Sequence, residues 1–126
     1  MGEKRILVVD DHNGSRAALV ELLSEEGHYV KEAASGLEAV ARAQSWPPDV
    51  AIVDYHLPDI DGVAVTRALV KNDSDCSVIF VSGTAELEAE GDGSLKFCER
   101  GAEAIAAGAA TWLPKPIDID RLLDAL

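Results

Sequence analysis

Four short apolar runs, each followed at once by polar residues, constrain the fold of this chain more than any other feature. The runs at 6–9 and 50–53 end in Asp10-Asp11 and in Asp54, and the runs at 78–81 and 110–114 end in Ser82 and in Lys115. Continuous apolar runs of this length are typical of strands that are buried on both faces of a sheet. Each of these four strands is therefore predicted to end beside a side chain that can bind a ligand or take part in a reaction.

Helical patterns separate these runs. We predict strands at about 5–10, 29–33, 50–54, 77–82 and 110–114, and helices at about 14–26, from Ser35 to about 46, at about 62–71 and from about Asp118. Gly27 is a typical helix stop, and Ser35 with Glu38 fits a capping box. Strands that alternate with helices indicate an α/β domain with a parallel sheet, helices on both faces and right-handed crossovers.

The segment from 83 to 98 interrupts the alternation. It contains four acidic residues and two glycines within 86–93. The pattern fits a short acidic helix at 84–90, a turn, and a further helix from about 94 to 107. The segment could also be a mobile loop.

Composition narrows the class of protein. A length of 126 residues suits one domain. The formal charge of −12 argues against direct nucleic-acid binding, which needs a basic surface. No window approaches the roughly 20 apolar residues of a membrane span. Cys76 and Cys98 lack metal-ligand spacing and are expected to be reduced thiols, so we expect a cytoplasmic protein.

Parallel strands place all their carboxyl ends at one edge of the sheet. The acidic side chains that follow the strands should therefore meet Ser82 and Lys115 there, although more than a hundred positions separate the first acid from the lysine. Two unit charges about 4 Å apart repel by roughly 1 kcal/mol in water, and by more in a buried site. A bound hard cation such as Mg²⁺ would relieve this repulsion. Metal, amine and hydroxyl would then hold a phosphoryl group while one carboxylate attacks phosphorus.

In these motifs the chain resembles the receiver domain of two-component response regulators. The matching motifs, spread over nearly the whole chain, are Asp10-Asp11, Asp54-x-x-Leu-Pro-x-x-Asp-Gly62, Ser82-Gly83 and Lys115-Pro116 preceded by Gly108-Ala109. The resemblance implies one receiver domain over 1–126 with a CheY-like (flavodoxin-like) fold. That fold is a doubly wound, five-stranded parallel sheet of order 2-1-3-4-5.

The resemblance also implies roles for the acidic residues. Asp54 would accept a phosphoryl group from a histidine of a sensor histidine kinase or of a histidine phosphotransfer protein. Asp11 would bind Mg²⁺ (or Mn²⁺) directly and Asp10 largely through water, with Asp54 and the backbone carbonyl of His56 as further ligands. Such a protein is a phosphoacceptor that can also lose its own phosphoryl group. It is not expected to be an enzyme with an external substrate.

The remaining roles concern the switch. Ser82 would bind a phosphoryl oxygen and Lys115 would pair with it, and the Lys115-Pro116 peptide bond would be cis, which proline makes accessible. Trp112 stands where the family has its rotating aromatic residue. Movement of Ser82 and Trp112 would repack the face that the family's fold forms from its fourth helix, fifth strand and fifth helix. This face would control an output domain or partner, or form a homodimer.

The sequence also allows other interpretations. Asp10-Asp11 could serve only to cap the first helix. The chain could be a degenerate receiver that acts as a phosphorylation-independent interaction module. It could also be a small aspartate-nucleophile phosphatase, but His56 stands where such enzymes need a second acid.

Two features depart from the family pattern. The spacing from Ser82 to Gly108 is about ten residues longer than usual, because of the extension at 83–98. The last helix is also shorter than usual, which fits a fragment of a larger regulator or hybrid kinase.

Overall fold

The computed structural model describes residues 3–55, 57–73, 75–83, 108–115 and 117–126. The strands are β1 (Arg5–Val9), β2 (Tyr29–Ala33), β3 (Val50–Asp54), β4 (Ser77–Gly83) and β5 (Thr111–Lys115). The helices are α1 (Asn13–Glu25), α2 (Gly36–Ser45), α3 (Gly62–Asn72) and a last helix, Ile119–Ala125. The predicted bounds of these elements agree with the structure to within about one residue. The segment at 84–107, with its two alternative interpretations, lies outside the described residues.

The five strands form one sheet in the order β2-β1-β3-β4-β5, and all the strand pairs are parallel. The predicted doubly wound α/β fold and its strand order 2-1-3-4-5 are therefore confirmed. In the central pair, Val9 lies beside Val53. The next residue of each strand segment, Asp10 after β1 and Asp54 at the end of β3, consequently lies at the same edge of the sheet.

Helices cover both faces of this sheet. Successive side chains of a strand point to opposite faces, so each strand contributes to two cores. On one face Leu7, Val53 and Phe80 pack with Ala39 and Ala43 of α2 and with Val65 and Leu69 of α3. On the other face Val8, Ile52 and Ile79 pack with Leu19 and Leu23 of α1 and with Leu122 of the last helix. Burial on both faces explains why the strands are apolar throughout.

Helix α1 ends just before Gly27, the predicted helix stop. Gly27 has a φ of 94°, in the left-handed region that glycine adopts without steric cost. Its N–H donates to Ser24 O at 3.0 Å, and the N–H of His28 donates to Leu23 O at 3.2 Å. These bonds satisfy carbonyls that the end of the helix would otherwise leave unpaired. His28 lies in the connection between α1 and β2, where it is half-buried and its Nδ1 accepts the N–H of Lys4 at 3.1 Å.

Cys76 should be a poor nucleophile in the folded protein. Burial raises the pKa of its thiol to about 11, and the charges of Asp73 and Asp49 act in the same direction. Because an unfolded thiol has a pKa near 8.5, this group stabilises the fold fully below that pH, and its contribution is lost as the pH rises toward about 11. In a Cys98→Ser variant, iodoacetamide at pH 8 should modify Cys76 roughly 100-fold more slowly than it does in urea-unfolded protein. Equal rates in the two states would contradict this expectation.

Within the described part of the chain, no helix combines the length and the apolar composition that crossing a membrane requires.

Candidate functional site

Three carboxylates meet at the carboxyl edge of the sheet. Asp10, Asp11 and Asp54 each offer an oxygen, and these oxygens lie within 4.8 Å of one another. The side chains of Asp10 and Asp54 are buried, with exposures of 4% and 6%, whereas Asp11 is exposed. The structure thus brings together the three acids that the sequence analysis selected.

The surroundings of these acids favour a bound cation. Apolar side chains, among them Val8, Ile52 and Val81, line a small cavity beside Asp10 and Asp54. Carboxylates in such a setting are poorly screened from one another, so their crowding is unfavourable unless positive charge is nearby. A set of oxygen donors with one exposed member fits a hard divalent ion that keeps part of its water shell. The arrangement is therefore able to hold a metal ion.

Local hydrogen bonds orient Asp10. Its backbone N–H donates to Ala33 O of β2 at 3.1 Å, and its Oδ1 accepts the N–H of His12 at 2.9 Å. His12, and not the acidic pair, is the N-cap of α1, because its Nδ1 accepts the N–H of Ser15 at 3.1 Å. The alternative that Asp10-Asp11 serve only as the helix cap is thus wrong. Histidine is not a preferred N-cap, so the sequence carried no signal for this role.

For the other predicted site residues, the structure describes either the backbone position alone or nothing. In the register of β4 and β5, Ser82 lies beside Pro114 and Gly83 beside Lys115, at the same edge as Asp54. Trp112 lies beside Phe80 in that register. His56, Pro116 and the extension at 84–98 lie outside the described residues. The side-chain roles of Ser82, Lys115 and Trp112, the carbonyl ligand of His56 and the cis Lys115-Pro116 bond therefore stay predictions.

Asp59 is a residue of the site region that the sequence analysis missed. It lies in the loop after β3, and its carboxylate accepts the N–H groups of Gly36, Leu37 and Ile60, each at 2.8 Å. Two of these donors belong to the first turn of α2. The bonds thus tie the loop that follows Asp54 to a neighbouring helix. An aspartate after Pro58 suggests a turn, but nothing in the sequence identifies a partner more than 20 residues away.

Asp59 should make stability depend on pH. The hydrogen bond from the Leu37 N–H, followed by those of Ile60 and Gly36, holds the pKa of Asp59 below its usual value despite some desolvation. A depressed pKa stabilises the fold above the unfolded value of about 4, and the contribution is lost as the pH falls through the folded pKa. In Asp59→Asn the urea midpoint at pH 7 should fall, and the decline in stability below about pH 4 should be smaller than in wild type. Glu21→Gln, an exposed change on α1, should alter neither quantity. Identical pH profiles for Asp59→Asn and wild type would contradict the expectation.

Comparison with known proteins assigns the family. Residues 6–126 match the family described as the response regulator receiver domain. The chain belongs to the response regulator receiver domain family. The resemblance predicted from the sequence is therefore confirmed.

Individual relatives align with nearly the whole chain. Sporulation initiation phosphotransferase F of Bacillus subtilis is 31% identical over 126 residues, which cover 100% of this receiver domain and 93% of that protein. A CheY-like receiver domain protein from Methanospirillum hungatei is 29% identical with a TM-score of 0.80, over 98% of this chain and 90% of that one. A response regulator from Burkholderia pseudomallei is 25% identical with a TM-score of 0.81, over 98% of this chain and 66% of that one. The crystal structure of that protein contains a phosphorylated aspartic acid, a calcium ion and citrate.

Proposed function

We propose that this receiver domain accepts a phosphoryl group on Asp54 from a phosphohistidine, with Mg²⁺ bound by Asp10, Asp11 and Asp54. The observation that carries the proposal is the gathering of three carboxylate oxygens within 4.8 Å at the carboxyl end of β3. A degenerate receiver would have no need of this charge crowding. The phosphorylated aspartic acid and the calcium ion of the Burkholderia regulator support the same chemistry in a protein of this fold.

The transfer is a displacement at phosphorus. A carboxylate oxygen of Asp54 forms the new O–P bond while the N–P bond of the phosphohistidine breaks, and the imidazole nitrogen keeps the electron pair and takes up a proton. Asp10 and Asp11 hold the ion, and a bound Mg²⁺ would supply positive charge to the phosphoryl oxygens. Lys115 pairs with one phosphoryl oxygen and Ser82 donates a hydrogen bond to another.

Phosphorylation then acts as a population shift. The phosphoryl group adds about −1.5 to −2 charges at Asp54. Ser82 and Trp112 respond, and the face formed by the fourth helix of the family's fold, β5 and the last helix changes its packing toward an output domain or partner protein. A preference of a few kcal/mol for the active arrangement is sufficient for it to dominate. The partner upstream is a sensor histidine kinase or a histidine phosphotransfer protein.

The test is phosphorylation by a small-molecule donor. Wild-type protein incubated with acetyl phosphate and Mg²⁺ should gain one phosphoryl group by intact mass measurement. The same incubation with an excess of chelator should give no adduct, because the crowded carboxylates then lack the cation that draws in the phosphoryl oxygens. Absence of the adduct with Mg²⁺, or equal yield with chelator, would refute the proposal.

A further inference from the structure

We infer that Arg16 is a positioning residue for the Asp10-Asp11 pair, an inference that rests on the function proposed above. The guanidinium of Arg16 donates three hydrogen bonds, one from each of its nitrogens. Nε donates to Glu32 Oε1 at 2.7 Å, one terminal nitrogen donates to the backbone carbonyl of Asp10 at 2.8 Å, and the other donates to Asn13 Oδ1 at 2.7 Å. The Arg16 side chain is only 13% exposed, so these bonds are partly shielded from water.

The bond to the Asp10 carbonyl acts directly on the acidic pair. That carbonyl belongs to the planar peptide unit that joins Asp10 to Asp11. The preceding N–H of Asp10 is already bonded to Ala33 O of β2 at 3.1 Å. With its N–H held by β2 and its C=O held by Arg16, the backbone of Asp10 has little freedom to rotate. The positions of the Asp11 N and Cα atoms, from which its side chain extends, are restricted as a consequence.

The other two bonds fix the guanidinium itself. Glu32 lies on β2 and Asn13 is the first residue of α1, so Arg16 joins the β1–α1 loop to a strand and to a helix end. Glu32 also offsets the charge of Arg16, which limits the field that the guanidinium exerts on the carboxylates. The planar fork of donors, which lysine lacks, is therefore the property that matters. Groups that orient metal ligands typically change metal affinity 10- to 100-fold when they are removed.

The experiment measures Mn²⁺ binding by electron paramagnetic resonance, which counts free Mn²⁺ and needs no phosphodonor. Arg16→Met keeps the apolar stem without donors, and Arg16→Lys keeps the charge without the fork. We expect the Kd for Mn²⁺ to rise roughly 10-fold in both variants, and to rise by less in Asn13→Ala, which removes one acceptor and no charge. Arg42→Met, which breaks an exposed ion pair with Glu38 on α2, is the matched control and should leave the Kd unchanged.

The outcomes separate this inference from the proposed function. A wild-type Kd in Arg16→Lys would overturn the positioning role, whether or not Arg16→Met binds weakly, because the planar fork of donors would then not be needed. If Arg16→Met does not fold, Arg16→Lys and Asn13→Ala decide the question. Failure of wild type to bind Mn²⁺, or equal binding by Asp11→Asn, would instead refute the proposed metal site.

Discussion

Replacement of Asp54 by asparagine should reduce phosphorylation by acetyl phosphate at least ~1,000-fold, to background level. The amide is a far weaker nucleophile than the carboxylate, and the change also removes one of the three negative charges that could hold the metal. The measurement is the fraction of phosphorylated protein, by intact mass, as a function of time. The folded state should tolerate the change, since the loss of one carboxylate relieves crowding among the acids.

The control for this variant is a substitution at the other end of β3. Asp49 precedes β3, where it accepts the N–H of Arg5 at 2.9 Å and pairs with the Arg5 side chain. Asp49→Asn makes the same chemical change far along the strand from Asp54, and it should be phosphorylated at the wild-type rate. Modification of Asp54→Asn at that rate would show that another residue is the acceptor.

Replacement of Gly62 by alanine should destabilise the protein by about 3 kcal/mol. A Cβ on Gly62 would lie 2.4 Å from the backbone oxygen of Asp54 and 2.9 Å from both Phe80 Cε1 and Tyr55 Cα. Two of these atoms belong to the backbone, and Phe80 is fully buried, so none of them can move away cheaply. Gly62 also donates its N–H to Tyr55 O at 3.0 Å, which fixes its own position. Urea unfolding measures the loss, and phosphorylation should slow because the displaced backbone carries Asp54.

Gly14→Ala is the matched control for Gly62→Ala. Gly14 also lies in the first turn of a helix, but the nearest atom to an added Cβ there is Cε1 of the exposed His12 ring, at 3.2 Å. The exposed ring needs to give by only a few tenths of an ångström, and alanine favours helix over glycine by up to about 1 kcal/mol. The Gly14 variant should therefore be close to wild type in stability. Comparable stabilities for the two variants would argue against close packing at Gly62.

The sequence by itself determined the sheet and the place of the acids. Apolar runs of strand length predicted β1, β3, β4 and β5, and the edge where Asp10 and Asp54 meet followed from the parallel arrangement. Gly27 also acted as predicted, and so did Ser35, whose Oγ accepts the N–H of Glu38 at 3.2 Å. The Glu38 side chain accepts the N–H of Ala34 at 2.6 Å, one residue before the N–H that a capping box uses. These signals are local, because each depends on periodicity or on residues within one turn.

The tertiary structure alone decided how the acidic pair and its neighbouring loop are held. His12 caps α1 although histidine is not a preferred N-cap, Arg16 reaches Glu32 on a strand 16 residues away, and Asp59 reaches Gly36 across 23 residues. Hydrogen bonds of this kind depend on which backbone groups the fold leaves without partners at helix ends and loops. That information appears only when distant segments are brought together, so no pattern within the chain could have identified it.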